Sequence, residues 1–203
     1  MQIFQRTRQV PVLPMAKLLF FDARFAWVWL IVRLYVGYQW LTSSVAKVAG
    51  YSLAPGTFGK RIPGGSWLVG GHGEKALRGF FTHSLSLAAG PNPTIQSWYA
   101  LFLQHLALPT VGVFSYLIPF GELCVGLGLI VGLFTGIAAL SGAFMNMNYL
   151  LAGSLGLNPI LFLLEIFLFL AWRICGFYGL DHFLIIGPGD DQKETLEMEH
   201  QLA

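Results

Sequence analysis

Charge is scarce in this sequence. Only 11% of its 203 residues are Asp, Glu, Lys or Arg, where a soluble domain carries about 25%. The net charge is +2, with no arginine-rich face, which excludes a nucleic-acid-binding protein. Cysteine is nearly absent. Cys124 and Cys175 form no C-x-x-C pair and sit about 15 and 3 Å from a common membrane face on a helical rise, too far apart for a disulfide. Both read as small buried apolar residues. No histidine falls inside an apolar stretch. His72, His83 and His105 lie between stretches, match no zinc spacing and leave no axial pair for a membrane haem. No flavin or nicotinamide fingerprint is present either.

What the sequence has instead is apolar length. It is 55% hydrophobic, with a mean hydropathy of +0.63. Four stretches at 24–48, 113–134, 136–154 and 158–177 are of near-membrane length. The expected fold is an all-α integral membrane protein: a four-transmembrane-helix bundle with a long extracytoplasmic loop at 50–112. Residues 24–187 make one membrane domain. Residues 1–23 carry Arg6, Arg8 and Lys17 against Asp22 and form a basic tail. Residues 188–203 form an acidic, flexible tail. The basic tail places the N-terminus in the cytoplasm, and four spans return the C-terminus there. The expected location is the cytoplasmic (inner) membrane, as a multi-pass protein. The first run holds Arg33, Tyr35, Tyr38 and Gln39, too polar and too long for a signal peptide.

The loop divides in two. Its first part is rich in glycine and proline. Leu77, Phe80, Phe81, Leu85 and Ala88 then recur at helical spacing opposite Lys75, Arg78, Thr82 and Ser86, an amphipathic helix. Pro91-Asn92-Pro93 ends it, with Asn92 as N-cap and Pro93 as first residue of a second helix over 94–108. That helix is too short to span, and its Trp98, Tyr99 and Phe102 suit an interfacial position. Tight turns at 133–136 and 153–159 make the last three spans antiparallel neighbours. Gly128-x-x-x-Gly132 and Ala138-x-x-x-Gly142 allow close helix approach.

Each span carries a strongly polar residue. Counted from one face at about 1.5 Å per residue, Arg33 lies about 13 Å deep, Glu122 about 18, Asn146 and Asn148 about 15 and 18, and Glu165 about 16. Ionisable groups at that depth are expensive and mark function. The expectation is that Arg33 meets Glu122 and one asparagine inside the bundle. One arginine facing two carboxylates leaves one carboxyl to hold a proton, which suits proton transfer. The bland alternative is a structural ion pair. A hard cation held by the glutamates is a further alternative, although the favoured expectation includes no metal. Lys47, at the outer end of the first span, could attract an anion, as could Lys60 and Arg61. Tyr149 adds a polar group beside the asparagines.

The run GVFSYLIPFGELCVGLGLIVGLFTGIAALSGAFMNMNYLLAGSLGLNP (112–159) resembles the DoxX/DoxD family of four-span membrane proteins. Its Gly-Glu, Leu-Phe-Thr and Met-Asn-x-Asn-Tyr elements are the specific parts. RLYVGYQWLTSSVAKVAG (33–50) and FYGLDHFLI (177–185) are similar to that family's first span and C-terminal end. The similarity is closest to the DoxD branch, the membrane subunit of thiosulfate:quinone oxidoreductase. It implies oxidation of two thiosulfates to tetrathionate, with quinone as electron acceptor. It implies roles for Arg33, Lys47, Glu122, Asn146 and Asn148. It also implies the lipid bilayer, membrane quinone and a second subunit or a second copy as partners. The rival expectations are a non-catalytic subunit or assembly factor of a respiratory or photosynthetic complex, and a proton or small-solute carrier.

Overall fold

A computed structural model describes residues 14–62, 66–68, 71–89 and 92–185. The basic residues Arg6 and Arg8 and the acidic tail at 188–203 lie outside them. Among the described residues the fold is helical, with one isolated antiparallel bridge between Tyr51 and Arg61. The helices are α1 (Pro14–Phe21), α2 (Ala26–Ala49), α3 (Gly73–Ala88), α4 (Ser97–Phe102), α5 (Val111–Val131), α6 (Thr135–Leu151), α7 (Asn158–Leu170), α8 (Trp172–Cys175) and α9 (Asp181–Ile185). A 3-10 turn, Ala23–Phe25, joins α1 to α2, and a π-helical turn, Leu103–Ala107, continues α4.

Helices α2, α5, α6 and α7 lie over the four apolar stretches. One of them, Val111–Val131, is long and apolar enough to cross a membrane, with mean hydropathy 1.8 over its best window. Helices α6 and α7 have 17 and 13 residues, short of the roughly 20 that a span requires. A left-handed Gly132 ends α5, and Pro159 opens α7 in its first turn, where its missing N–H is no loss.

Small residues set the register. A Cβ on Gly37 would stand 2.9 Å from Ile130 Cγ1, and one on Gly126 would stand 2.9 Å from Leu41 N. Helices α2 and α5 therefore run antiparallel in near backbone contact there. Ser44 extends the pairing by donating to the Pro119 carbonyl at 3.1 Å. Gly128 faces Ala138, as the spacing predicts, but Gly132 is a helix stop that packs against Arg33 and Gly179 and not against a neighbouring span. Helices α6 and α7 pair antiparallel, with Gly142 against Glu165, and Gly136 continues the contact onto Trp172 of α8.

Two apolar cores result. One gathers Trp29, Val36, Trp40, Val125, Leu129 and Leu168 inside the bundle. The other gathers Leu77, Phe81, Ile95, Tyr99, Leu103 and Val111 where α3 and α4 roof one end. The amphipathic α3 thus buries its expected face. The second loop helix begins at Ser97, with Gln96 as N-cap, and not at Pro93. Thr94 N donates to Leu87 O at 3.3 Å and Ile95 is buried, so the segment after Pro93 first folds back onto α3.

Candidate functional site

The expected polar layer is two sites and a latch. Its central expectation fails: Arg33 and Glu122 do not meet. The depth count assumed that all helices start on one plane. In the structure α2 protrudes past the end of α5, so Arg33 is level with Gly132, against which its guanidinium packs. Glu122 lies beside Ser43, ten residues further along α2, or about 15 Å at the helical rise. Arg33 is 1% exposed and donates to the carbonyls of Cys175 (3.1 Å) and Tyr178 (3.2 Å). It ties down the chain after α8. Asp181 completes this latch, accepting from Phe134 N (2.6 Å) and Thr135 N (2.8 Å) at the N-terminus of α6. A carboxylate there satisfies otherwise unpartnered amides and complements the helix dipole.

The acid's partner is Lys47, whose Nζ lies 2.6 Å from Glu122 Oε1 and 2.7 Å from Oε2. Glu122 is fully buried, and the Lys47 side chain is 21% exposed. Tyr149 donates its hydroxyl to Oε1 at 2.6 Å, and Ser43 donates to Oε2 at 3.1 Å. Lys47 also donates to Ser43 Oγ at 2.6 Å, and its ammonium lies 5.6 Å from the Trp67 ring centroid, within cation–π range. Helical spacing on α2 produces this cluster, because Trp40, Ser43 and Lys47 recur at three and four residues and share a face.

Glu165 forms the second site, with no cation. It accepts from Trp40 Nε1 at 2.5 Å and Asn146 Nδ2 at 2.8 Å. Gly142 makes room for it: a Cβ there would lie 2.7 Å from Glu165 Oε1. Asn146 is 1% exposed, and its Oδ1 has no partner. Asn148 faces elsewhere, donating to Phe144 O and accepting from Tyr99.

The Glu122 site opens on a cavity of about 370 Å³, lined by Trp40, Ser43, Lys47, Glu122, Asn146 and Tyr149 and roofed by Trp67, Leu77 and Phe80; Glu165 stands behind its Trp40 and Asn146. Beside it lies an apolar groove of about 810 Å³, lined by Phe81, Tyr99, Phe102, Phe114, Leu140 and Phe144, with Asn148 and Ser141 as polar points. Tyr149, Phe80 and Ile118 line both chambers. The Tyr149 ring is therefore part of the wall between them.

Two expected anion-binding residues fall away from this site. Lys60 and Arg61 are exposed and do not line the cavity, because the 50–62 turn folds on itself through the Tyr51–Arg61 bridge. His72, His83 and His105 are exposed. Cys175 is buried, but Cys124 is exposed on α5, and both are free. Among the described residues no three His, Cys, Asp or Glu side chains gather as a metal site requires. Sequence reasoning missed Trp40, Ser43, Trp67 and Asp181. The α2 spacing could have signalled the first two. No family model, curated protein or solved structure matches the chain.

Proposed function

We propose that this chain is the membrane subunit of a quinone-linked oxidoreductase, oxidising thiosulfate to tetrathionate. In this reading the bundle sits in the cytoplasmic membrane as four transmembrane helices, with the α3–α4 roof outside. The apolar side chains exposed around it, among them Val113, Leu117, Ile137, Phe144 and Leu163, suit lipid contact far better than water.

The observation that carries the reading is the pair of adjoining chambers. The polar cavity holds a lysine, the buried Glu122 carboxyl and hydrogen-bond donors, and a small oxyanion belongs there. The groove is apolar and aromatic, and its volume falls in the range of about 300–1,000 Å³ usual for organic ligands. A quinone ring and its isoprenoid chain fit that chemistry. The two half-reactions balance across the wall. Two thiosulfates join through a new S–S bond and release two electrons. The quinone takes up those electrons and two protons. Glu122 is placed to pass protons from the cavity side, with Glu165 reached through Asn146, and the Tyr149 hydroxyl links Glu122 to the groove wall.

The test is quinone reduction by thiosulfate with the purified full chain in lipid nanodiscs. Turnover that vanishes in a folded Glu122→Gln protein supports the proposal, and wild-type turnover in that variant removes Glu122 from the mechanism. A second reading, a non-catalytic subunit, is favoured by one observation. Trp98, Leu101 and Leu106 are exposed together along α4 and its π turn, a surface suited to a partner protein. Under that reading the chain alone shows no turnover, and Trp98→Ala with Leu101→Ala releases a partner in pull-down.

A further inference from the structure

The Lys47–Glu122 cluster has no vacancy. An ammonium has three protons and a carboxylate about four lone-pair sites. Lys47 donates to Ser43 Oγ and to both oxygens of Glu122. Glu122 accepts twice from Lys47, once from Tyr149 and once from Ser43. Every site on both groups is occupied, and their charges cancel. An anion entering the cavity therefore meets no available cation. Among the described residues Lys47 and Glu122 are the charged side chains that line the cavity, and Glu165 lies behind Trp40 and Asn146. From α3 only Leu77 and Phe80 face the cavity, and from the segment before it Trp67.

We infer that the cavity takes up its anion together with one proton, which is received by Glu122. The inference rests on the proposed reading for its ligand class, a small oxyanion, and adds how the site accepts it. The steps balance. The proton comes from the buffered solution, whose acid form becomes its conjugate base, the Glu122 carboxylate becomes a carboxylic acid, and two Lys47 N–H donors turn from it to the anion. No bond between heavy atoms changes. The protonated carboxyl keeps the Tyr149 and Ser43 hydroxyls as neighbours, so the cavity wall stays in place. Protonation of Glu122 is then a condition of anion entry, and the same proton is available when electrons leave.

The alternative is that Lys47 swings away from Glu122 and takes the anion alone. That leaves a buried carboxylate without its counter-ion, a costly arrangement. Calorimetry separates the two. The full-length protein in detergent, without quinone, is titrated with thiosulfate at pH 7 in two buffers of different ionisation enthalpy. The expected result is uptake of one proton per anion, with affinity falling about tenfold per pH unit as pH rises, the slope of one linked proton. Glu122→Gln should bind with no proton uptake and a flat pH profile. Binding without proton uptake in the wild type, proton uptake retained in Glu122→Gln, or no binding at millimolar anion would each overturn the inference. If Glu122→Gln does not fold, the wild-type titration decides alone. Proton-linked binding in a protein that reduces no quinone would remove the oxidoreductase reading and leave this one standing. Turnover with proton-free binding would do the reverse.

Discussion

Removing Lys47 tests the ion pair at its more vulnerable end. In Lys47→Met the apolar part of the side chain is kept and the charge is lost. Glu122, with no exposed surface, then keeps only the hydroxyls of Tyr149 and Ser43 as donors. Breaking a buried pair from one side costs about 3–5 kcal/mol. At about 2–4 °C per kcal/mol for a chain of this size, the melting temperature should fall by about 6–20 °C. Glu122→Gln should cost less, because Lys47 is part-exposed and can turn toward solvent. The double variant, Lys47→Met with Glu122→Gln, buries no charge. It should be more stable than Lys47→Met alone, giving a coupling energy of the sign an ion pair requires. The assay is thermal unfolding in detergent, followed by tryptophan fluorescence. A Lys47→Met protein that melts with the wild type, or a double variant whose loss is the sum of the singles, would refute the reasoning.

Gly142→Ala would force its methyl to within 2.7 Å of Glu165 Oε1. It should cost about 1–3 kcal/mol as overpacking and shift the emission of Trp40 as the carboxyl moves off the indole; unchanged emission would refute it. Arg33→Met removes a cationic donor from the Cys175 and Tyr178 carbonyls. Losing such a donor costs about 1.5–3 kcal/mol, and hydrogen exchange should quicken first at 176–183. Burial raises the Tyr99 hydroxyl from its ordinary 10.0 to about 12. Because the folded value lies above the unfolded one, its contribution is whole below pH 10 and is lost as pH climbs toward 12. The roof helices should loosen in that window, by circular dichroism, and Tyr99→Phe should remove the transition.

Much of the architecture is legible in the sequence because helices announce themselves by periodicity. The face of α3 was set by Leu77 and Phe81. The residues of the site were legible as types, since Glu122, Glu165, Asn146 and Lys47 are polar groups in apolar surroundings. Their pairing was not. Depth along a helix predicts contact only when the register between helices is known, and helix ends are poor markers of register. Gly37 and Gly126 are the better marker: Gly37 packs on Leu129 and Ile130 and Gly126 on Leu41, which carries Arg33 to Gly132 at the end of α5 and leaves Glu122 near the Trp40–Ser44 turn. Asp181 was illegible for a different reason. It acts on backbone amides of a helix 46 and 47 residues earlier, and no local pattern records so distant a cap.

That latch sets an order on biosynthesis. A ribosome that has made the chain only as far as α7 has delivered every helix of the bundle, yet Arg33 still lacks its carbonyl acceptors and the start of α6 lacks Asp181. Both arrive within the last stretch of described residues. Assembly from the N-terminus must therefore wait, with an unsatisfied guanidinium inside the growing bundle, until residues 175–181 emerge. Among the described residues, a stop codon placed just before them would remove few buried apolar side chains and still leave the protein unfinished.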